Sequence, residues 1–132
     1  MAKIAFGVFI VLHGLVHLLY LGQSQRVFEL QPGMVWPDGS WLLARFFGDG
    51  MVRWVTAVSL VITTVGFVVS GIGVFWQLAW WRPTLVGTAV FSSALYLILW
   101  DGGWQNLDDK GGIGILINVV LLTAVLVLHW PI

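Results

Sequence analysis

The chain has 132 residues, of which 59% are hydrophobic and only 9% are charged. Because soluble domains carry about 25% charged residues, this composition excludes an ordinary water-soluble domain and is typical of an integral membrane protein. Six basic and six acidic side chains give a net charge of zero without a basic stretch, which excludes nucleic acid as a partner. Cysteine is absent, so disulfides, thiolate catalysis and cysteine-ligated metal centres are excluded as well.

The first apolar segment, residues 4–21, is long enough to cross a bilayer and follows a single lysine, Lys3. A secretory signal peptide would also begin with a positive charge. The residues after Leu21 contain no small-x-small cleavage site, so we expect the segment to be retained as a membrane span. His13 and His17 are four residues apart in it, which places both imidazole rings on one face of the predicted helix.

A long polar loop, residues 22–50, follows the first span. Ser40 can cap a short helix that runs through Arg45 to Phe47 and that Gly48 would end. Because this short helix is rich in aromatic and aliphatic side chains, we predict that it lies in the membrane interface.

Two further spans are predicted over residues 51–75 and 83–100. Both carry small or polar residues at three- and four-residue spacing, and such residues share one helix face. Small residues on one face let helices approach closely in a bilayer, so both stripes are interpreted as packing seams. The stripes consist of Thr56, Ser59, Thr63, Gly66 and Ser70 in one span and of Thr84, Thr88, Ser92, Tyr96 and Trp100 in the other.

The fourth span is predicted over residues 113–129, after a loop rich in turn residues over residues 101–112. The tryptophans then fall into two groups near the two ends of the spans, as expected for interfacial belts. The sequence therefore predicts an all-α integral membrane four-helix bundle, with a short interfacial helix in its first loop. It forms a single domain over residues 1–132.

Four spans place both termini and the connection at residues 76–82 on one side, which we call the terminal end. Residues 22–50 and 101–112 lie on the other side, the loop end. Lys3 and Arg82 are the basic residues of the terminal end, whereas all six acids are at the loop end. The positive-inside rule counts basic residues close to the spans. Those of the loop end are spread over a longer stretch of chain than those of the terminal end, which reduces their weight. We expect a plasma (inner) membrane with the termini inside.

Polar residues gather near the loop end of several predicted spans. A carboxylate beside His17 would hold one imidazole tautomer and raise its basicity, which suits a proton relay or the support of a metal ligand. The alternative is a structural hydrogen-bond cluster that ties three helices and the loop together. We expect these polar residues to line a pocket that opens to the loop end, with His13 at its floor and residues 40–48 as its roof. The candidate ligand-binding residues are His13, His17, Tyr20, Arg45, Asp101 and Asn118.

The two histidines could also ligate a metal ion or flank a cofactor. His13 and His17 would be the ligands of any metal. A haem held by two histidines fits poorly because His129 lies at the opposite end of the bundle, whereas a haem held by one histidine stays open. No catalytic triad, P-loop or dinucleotide-binding motif is present. The sequence does not indicate which cofactor is bound, if any. It favours a non-enzymatic protein over an enzyme.

The four short spans, the long first loop with an interfacial helix and the polar residues at the loop end resemble the small four-helix membrane proteins of the DoxX-like group. The resemblance lies in this layout. It assigns no catalytic residue.

Three functions follow from these patterns. The leading hypothesis is a non-enzymatic accessory or assembly subunit, or a homo-oligomer, whose partners are the lipid bilayer and other membrane subunits or a second copy. The alternative is a membrane redox or ligand-binding protein that holds a quinone, haem, metal or lipid headgroup in a polar pocket containing histidine. A transporter of protons or small solutes ranks last, because the half of the bundle at the terminal end offers few polar side chains for a path.

Overall fold

The computed structural model describes residues 1–131 and contains helices but no β-strand in that range. The predicted all-α class is therefore confirmed, and Ile132 lies outside the described residues. A π-helical turn, Thr123–Val127, continues the last helix. The four helices are α1 (Ala2–Ser24), α2 (Asp49–Phe75), α3 (Trp81–Leu99) and α4 (Gly112–Leu122).

Three of the helices, α1, α2 and α3, are long and apolar enough to cross a membrane. The fourth, taken with its π-helical turn as Gly112–Val127, is apolar but shorter. α1, α2 and α3 each match one predicted span to within a few residues, whereas α4 ends at Leu122 and its π-helical turn at Val127, short of the predicted end at residue 129. α1 runs past Leu21 to Ser24, whose hydroxyl donates to the carbonyl of Leu21. Hydropathy marks only the apolar part of a helix, and polar residues can extend its hydrogen bonding beyond that part.

The helices pack in chain order, each against the next, through close approaches at glycine. A Cβ atom built at Gly71 of α2 would lie only 2.8 Å from the carbonyl oxygen of Gly7 in α1. One built at Gly66 would lie 2.8 Å from Cγ2 of Thr88 in α3. Gly66 and Thr88 belong to the two predicted seams. The seams therefore bring α2 and α3 of this chain together.

The buried side chains form two apolar clusters, one towards each end of the bundle. The cluster at the terminal end includes Phe6, Ile10, Phe67, Val74, Leu85 and Leu121. The cluster at the loop end includes Tyr20, Met34, Trp36, Leu60, Tyr96 and Leu99. His13 and His17 lie between Ile10 and Tyr20 along α1, so the buried histidines mark the layer where the two clusters meet.

The first loop contains a shorter helical turn than predicted. Ser40 Oγ accepts a hydrogen bond from the backbone N–H of Leu43, as expected of a cap, but only Leu43–Arg45 forms a turn of 3₁₀ helix. The Ser40 hydroxyl also donates to the carbonyl of Ile98 at 2.5 Å, near the end of α3. Carbonyl groups at a helix end need such partners. This hydrogen bond ties the loop to the end of α3, and the helical part of the loop ends after one turn.

Ion pairs at Asp38 fix the middle of the same loop. The Asp38 carboxylate accepts two hydrogen bonds from Arg53, at 2.8 and 2.5 Å, and lies 3.0 Å from Nη2 of Arg26. The hydrogen bonds from Arg53, with the charge of Arg26, lower the pKa of Asp38 below its usual value. One carboxylate thus joins the loop to the start of α2 and to the residues that follow α1.

Candidate ligand-binding site

A chain of hydrogen bonds joins α1 to α4 and α3 at His13. His13 Nε2 lies 2.8 Å from Oδ1 of Asn118, and Nδ2 of Asn118 lies 3.1 Å from Oγ of Ser93. The Ser93 hydroxyl donates to the carbonyl of Ala89, so it must accept from the Asn118 amide. The Asn118 oxygen is then left to accept from His13, which places a proton on Nε2 of His13.

His17 joins α1 to α3 one turn further along. Its Nδ1 lies 2.9 Å from the backbone carbonyl of His13, which can only accept, so Nδ1 carries a proton. Its Nε2 lies 2.9 Å from Oγ of Ser92 and can accept from that hydroxyl in the neutral ring. Both ring nitrogens are therefore paired without a carboxylate, and the two histidines tie three helices together.

Aromatic rings surround the histidines. The ring of Phe67 in α2 lies 4.7 Å from that of His13 and 5.3 Å from that of His17, measured between centroids. Gly14 makes this approach possible, because a Cβ atom there would lie 2.7 Å from Cβ of Phe67. On the other side, the ring of Tyr96 stacks on His17 at 5.7 Å. The polar layer is therefore enclosed by aromatic surface.

The roof of the histidine layer is Trp36, which corrects the prediction that residues 40–48 would form it. Trp36 is buried, and its ring lies 5.7 Å from that of Tyr20 and 6.3 Å from that of Tyr96. Gln23 holds this part of the loop, because its amide donates to the carbonyl of Met34 at 2.9 Å. This side-chain bond folds the loop back over the end of α1, and Trp36 is buried there.

A groove of about 250 Å³ runs between α1 and α4 and reaches the histidines. Its outer walls are apolar side chains that are exposed on the surface of the bundle, whereas its inner wall holds the polar groups of the buried layer. The lining residues are Phe9, Leu12, His13, Val16, His17, Tyr20, Tyr96, Ile113, Gly114 and Ile117.

Tyr96 lines the groove, and its hydroxyl is a buried polar group. Tyr96 is only 1% exposed, and its hydroxyl has no hydrogen-bond partner among residues 1–131. One edge of the ring lies against Gly114, another lining residue, because a Cβ atom there would lie 3.1 Å from Cε2 of Tyr96. Nε1 of Trp36 also has no partner within that range. Two hydrogen-bond donors therefore lie unpaired in the aromatic cluster beside the groove.

The structure brings together four of the six predicted site residues. His13, His17 and Asn118 form the hydrogen-bonded layer, and Tyr20 lines the groove while its hydroxyl donates to the carbonyl of Asp108. The other two lie elsewhere. Asp101 pairs with Lys110 at 3.0 Å, and Arg45 is exposed in the 3₁₀ turn. Asp101 therefore does not supply the carboxylate that we expected beside His17.

Sequence reasoning missed Ser92, Ser93, Gln23 and Trp36 as members of the site. Ser92 lies four residues before Tyr96 on the stripe that we interpreted as a seam, so the signal was present but was assigned to packing. Ser93 lies beside that stripe. Trp36 belongs to a loop whose path the sequence does not give, and Gln23, near the end of α1, is hydrogen-bonded to that loop.

The described residues offer few ligands for a metal ion. No group of three or more His, Asp and Glu side chains in residues 1–131 could hold one. The rings of His13 and His17 lie 5.1 Å apart at a steep angle, and Nε2 of each is hydrogen-bonded to another side chain. A metal held by this pair would have to displace those bonds.

Comparison with models of known protein families, with curated proteins and with solved structures found no match for this chain. The functional argument therefore rests on the geometry of the groove.

Proposed function

We propose that this chain is a four-span integral membrane protein that binds a membrane-soluble ligand in the groove between α1 and α4. The observation that carries the proposal is the unpaired, buried hydroxyl of Tyr96, a residue that lines a groove whose surface is almost wholly apolar. Buried polar groups normally have partners, and an unpaired one in a pocket marks a place where a ligand can supply the partner.

The wall chemistry selects an amphiphile with a carbonyl group in its head. An apolar tail would lie along Leu12, Val16 and Ile113, which are exposed on the outer sides of the groove. A carbonyl oxygen would accept from the hydroxyl of Tyr96, and a flat head would stack beside the aromatic rings. An isoprenoid quinone has all three features, and a lipid ester has the carbonyl group and the apolar tail.

The alternative of an accessory subunit or homo-oligomer stays a prediction, but it has lost one of its arguments. The packing seams that suggested a partner are filled by this chain's own helices, as Gly66 and Thr88 demonstrate. The groove between α1 and α4, in contrast, is not filled by another helix of the described chain. The geometry therefore favours ligand binding over assembly.

Membrane placement follows the same proposal. The three long apolar helices are consistent with a membrane protein, and α4 would complete a fourth span. We propose a plasma (inner) membrane with the termini inside, in the layout that resembles the DoxX-like group.

Filling the groove tests the proposal. Val16 and Leu15 are neighbours on α1 and are 43% and 44% exposed, but only Val16 lines the groove. Protein purified in mild detergent is extracted with organic solvent, and its lipids are identified by mass spectrometry. We expect a carbonyl-bearing lipid or quinone with the wild type and Leu15→Trp, and at least a severalfold loss with Val16→Trp. Equal amounts in all three proteins would contradict the proposal.

A further inference from the structure

The two ends of the bundle carry opposite charge. The six acidic residues all belong to the loop end, where they lie in loops or at the start of α2, and three of its four basic residues form ion pairs. The terminal end has Lys3 and Arg82, and neither forms an ion pair within residues 1–131. A negatively charged partner would therefore be attracted to the terminal end.

A second cavity opens at the terminal end, between the start of α3 and the end of α4. It is lined by Arg82, Pro83, Val86, Val125, Leu126 and His129 and has a volume of about 550 Å³. Arg82 and His129 are nearest the ends of their segments, whereas Val86 and Val125 lie about one turn further into the bundle. The cavity thus combines polar groups at the edge of the bundle with an apolar wall deeper in.

No acidic side chain within residues 1–131 pairs with the guanidinium of Arg82. Its Nη2 donates to the carbonyl of Pro131 at 3.0 Å, and its Cζ lies 4.6 Å from the ring centroid of Trp81. An arginine fixed by one hydrogen bond and by stacking keeps further N–H donors in a planar arrangement. That arrangement suits the bidentate binding of a phosphate group.

The π-helical turn shapes the apolar wall of this cavity. Val125 and Leu126 belong to Thr123–Val127, where the backbone N–H of Leu128 donates to the carbonyl of Thr123, five residues earlier. π-helical turns are rare and occur frequently at functional sites. Here the turn lies where α4 faces Arg82 across the cavity.

We propose that this cavity binds one anionic phospholipid, with its phosphate on Arg82 and an acyl chain along Val86 and Val125. The occupant follows from charge complementarity, because the terminal end carries basic side chains and no acidic side chain. It follows also from the lining of the cavity, which is polar at the edge of the bundle and apolar deeper in. This site is separate from the groove and does not depend on the ligand proposed there. It agrees with termini that face the cytoplasmic leaflet, where anionic lipids are concentrated.

Native mass spectrometry with matched lipids tests the site. The detergent-solubilised protein is mixed with dioleoyl phosphatidylglycerol or dioleoyl phosphatidylcholine, which share their acyl chains and differ in net charge. We expect the wild type to retain phosphatidylglycerol preferentially and Arg82→Gln to bind it about tenfold more weakly. Arg82→Lys keeps the charge and should retain part of the preference. Arg45→Gln, which changes an exposed arginine at the loop end, should behave as the wild type.

A second pair of variants keeps the test decisive if Arg82→Gln fails to fold. Leu126 and Val127 are 54% and 68% exposed neighbours, and only Leu126 lines the cavity. Leu126→Trp should lose phosphatidylglycerol, whereas Val127→Trp should retain it. Equal retention of the two lipids by the wild type would overturn the site, and so would unchanged preference in both Arg82→Gln and Leu126→Trp. The groove variant Val16→Trp should leave this preference unchanged, so the two sites can fail separately.

Discussion

Tyr96 buries a hydroxyl that no residue of the described chain pairs with, whereas the nearby Tyr20 has a partner in the carbonyl of Asp108. An unpaired buried polar group costs about 1–3 kcal/mol of folding free energy. The two tyrosines lie in one aromatic cluster, with ring centroids 5.2 Å apart. They therefore form a matched pair in which removal of the hydroxyl should lower the stability of the ligand-free protein at Tyr20 but not at Tyr96.

Tyr96→Phe should leave the unfolding free energy of the ligand-free protein unchanged or raise it by up to about 1–3 kcal/mol, because the hydroxyl has no bond to lose. Tyr20→Phe should lower it by about 1 kcal/mol, because a hydrogen bond is lost. Denaturant unfolding of delipidated protein in detergent measures both. A loss of stability in Tyr96→Phe equal to that in Tyr20→Phe would mean that the hydroxyl of Tyr96 is paired.

Between helices, the closest approaches depend on glycine. A Cβ atom at Gly71 would lie 2.6 Å from Cγ2 of Val11 as well as against the backbone of Gly7, so α1 and α2 would have to separate. Gly87 on α3 has nothing within 4 Å of the corresponding position. These two helical glycines separate the effect of packing from that of helix propensity.

Gly71→Ala should destabilise the protein by about 1–3 kcal/mol through overpacking. Gly87→Ala should be neutral or stabilise it by up to about 1 kcal/mol, since alanine is the better helix former. Thermal unfolding in one detergent measures the difference. A Gly71→Ala protein as stable as Gly87→Ala would show that α1 and α2 are not in close contact there.

The first loop depends on pH through Asp38. Its pKa is lowered in the folded protein by hydrogen bonds from Arg53 and by the charge of Arg26. The resulting stability is present above the unfolded pKa of about 3.9 and is lost as the pH falls through the lower folded value. Because these side chains are partly exposed, we expect a contribution of about 1 kcal/mol or less.

Unfolding of the wild type and of Asp38→Asn at several pH values tests this link. The wild type should be the more stable near neutral pH, and the difference should shrink as the pH falls below about 4. Asp108 is exposed and forms no ion pair within residues 1–131, so Asp108→Asn is a control for general charge effects. A difference that stays constant down to acidic pH would contradict the proposed role of these ion pairs.

Across the whole molecule, hydropathy was sufficient to predict four helices, because each is a long apolar run between polar loops. The two stripes, one containing Gly66 and the other Thr88, predicted close packing but not which helix would pack against each. The contacts of the site depend on how each helix is rotated and on the path of the first loop. For this reason Ser92 and Trp36 were missed, and Asp101 was expected beside His17 although its partner is Lys110.

The proposed four-span topology predicts that the two ends face opposite sides of the membrane. The natural chain has no cysteine, so single substitutions can be labelled without background. Ala79→Cys at the terminal end and Gln105→Cys at the loop end are both at exposed positions. In sealed vesicles, an impermeant maleimide should label only one of them from outside. Labelling of both from the same side would contradict the topology.

A crystal structure of the protein grown from a lipidic mesophase would show what contacts Tyr96, His13 and His17. We predict elongated electron density between α1 and α4, with a hydrogen-bond acceptor at the hydroxyl of Tyr96 and a tail beside Val16. A groove closed by direct packing of α1 against α4, with that hydroxyl paired to the protein itself, would contradict the proposed ligand site.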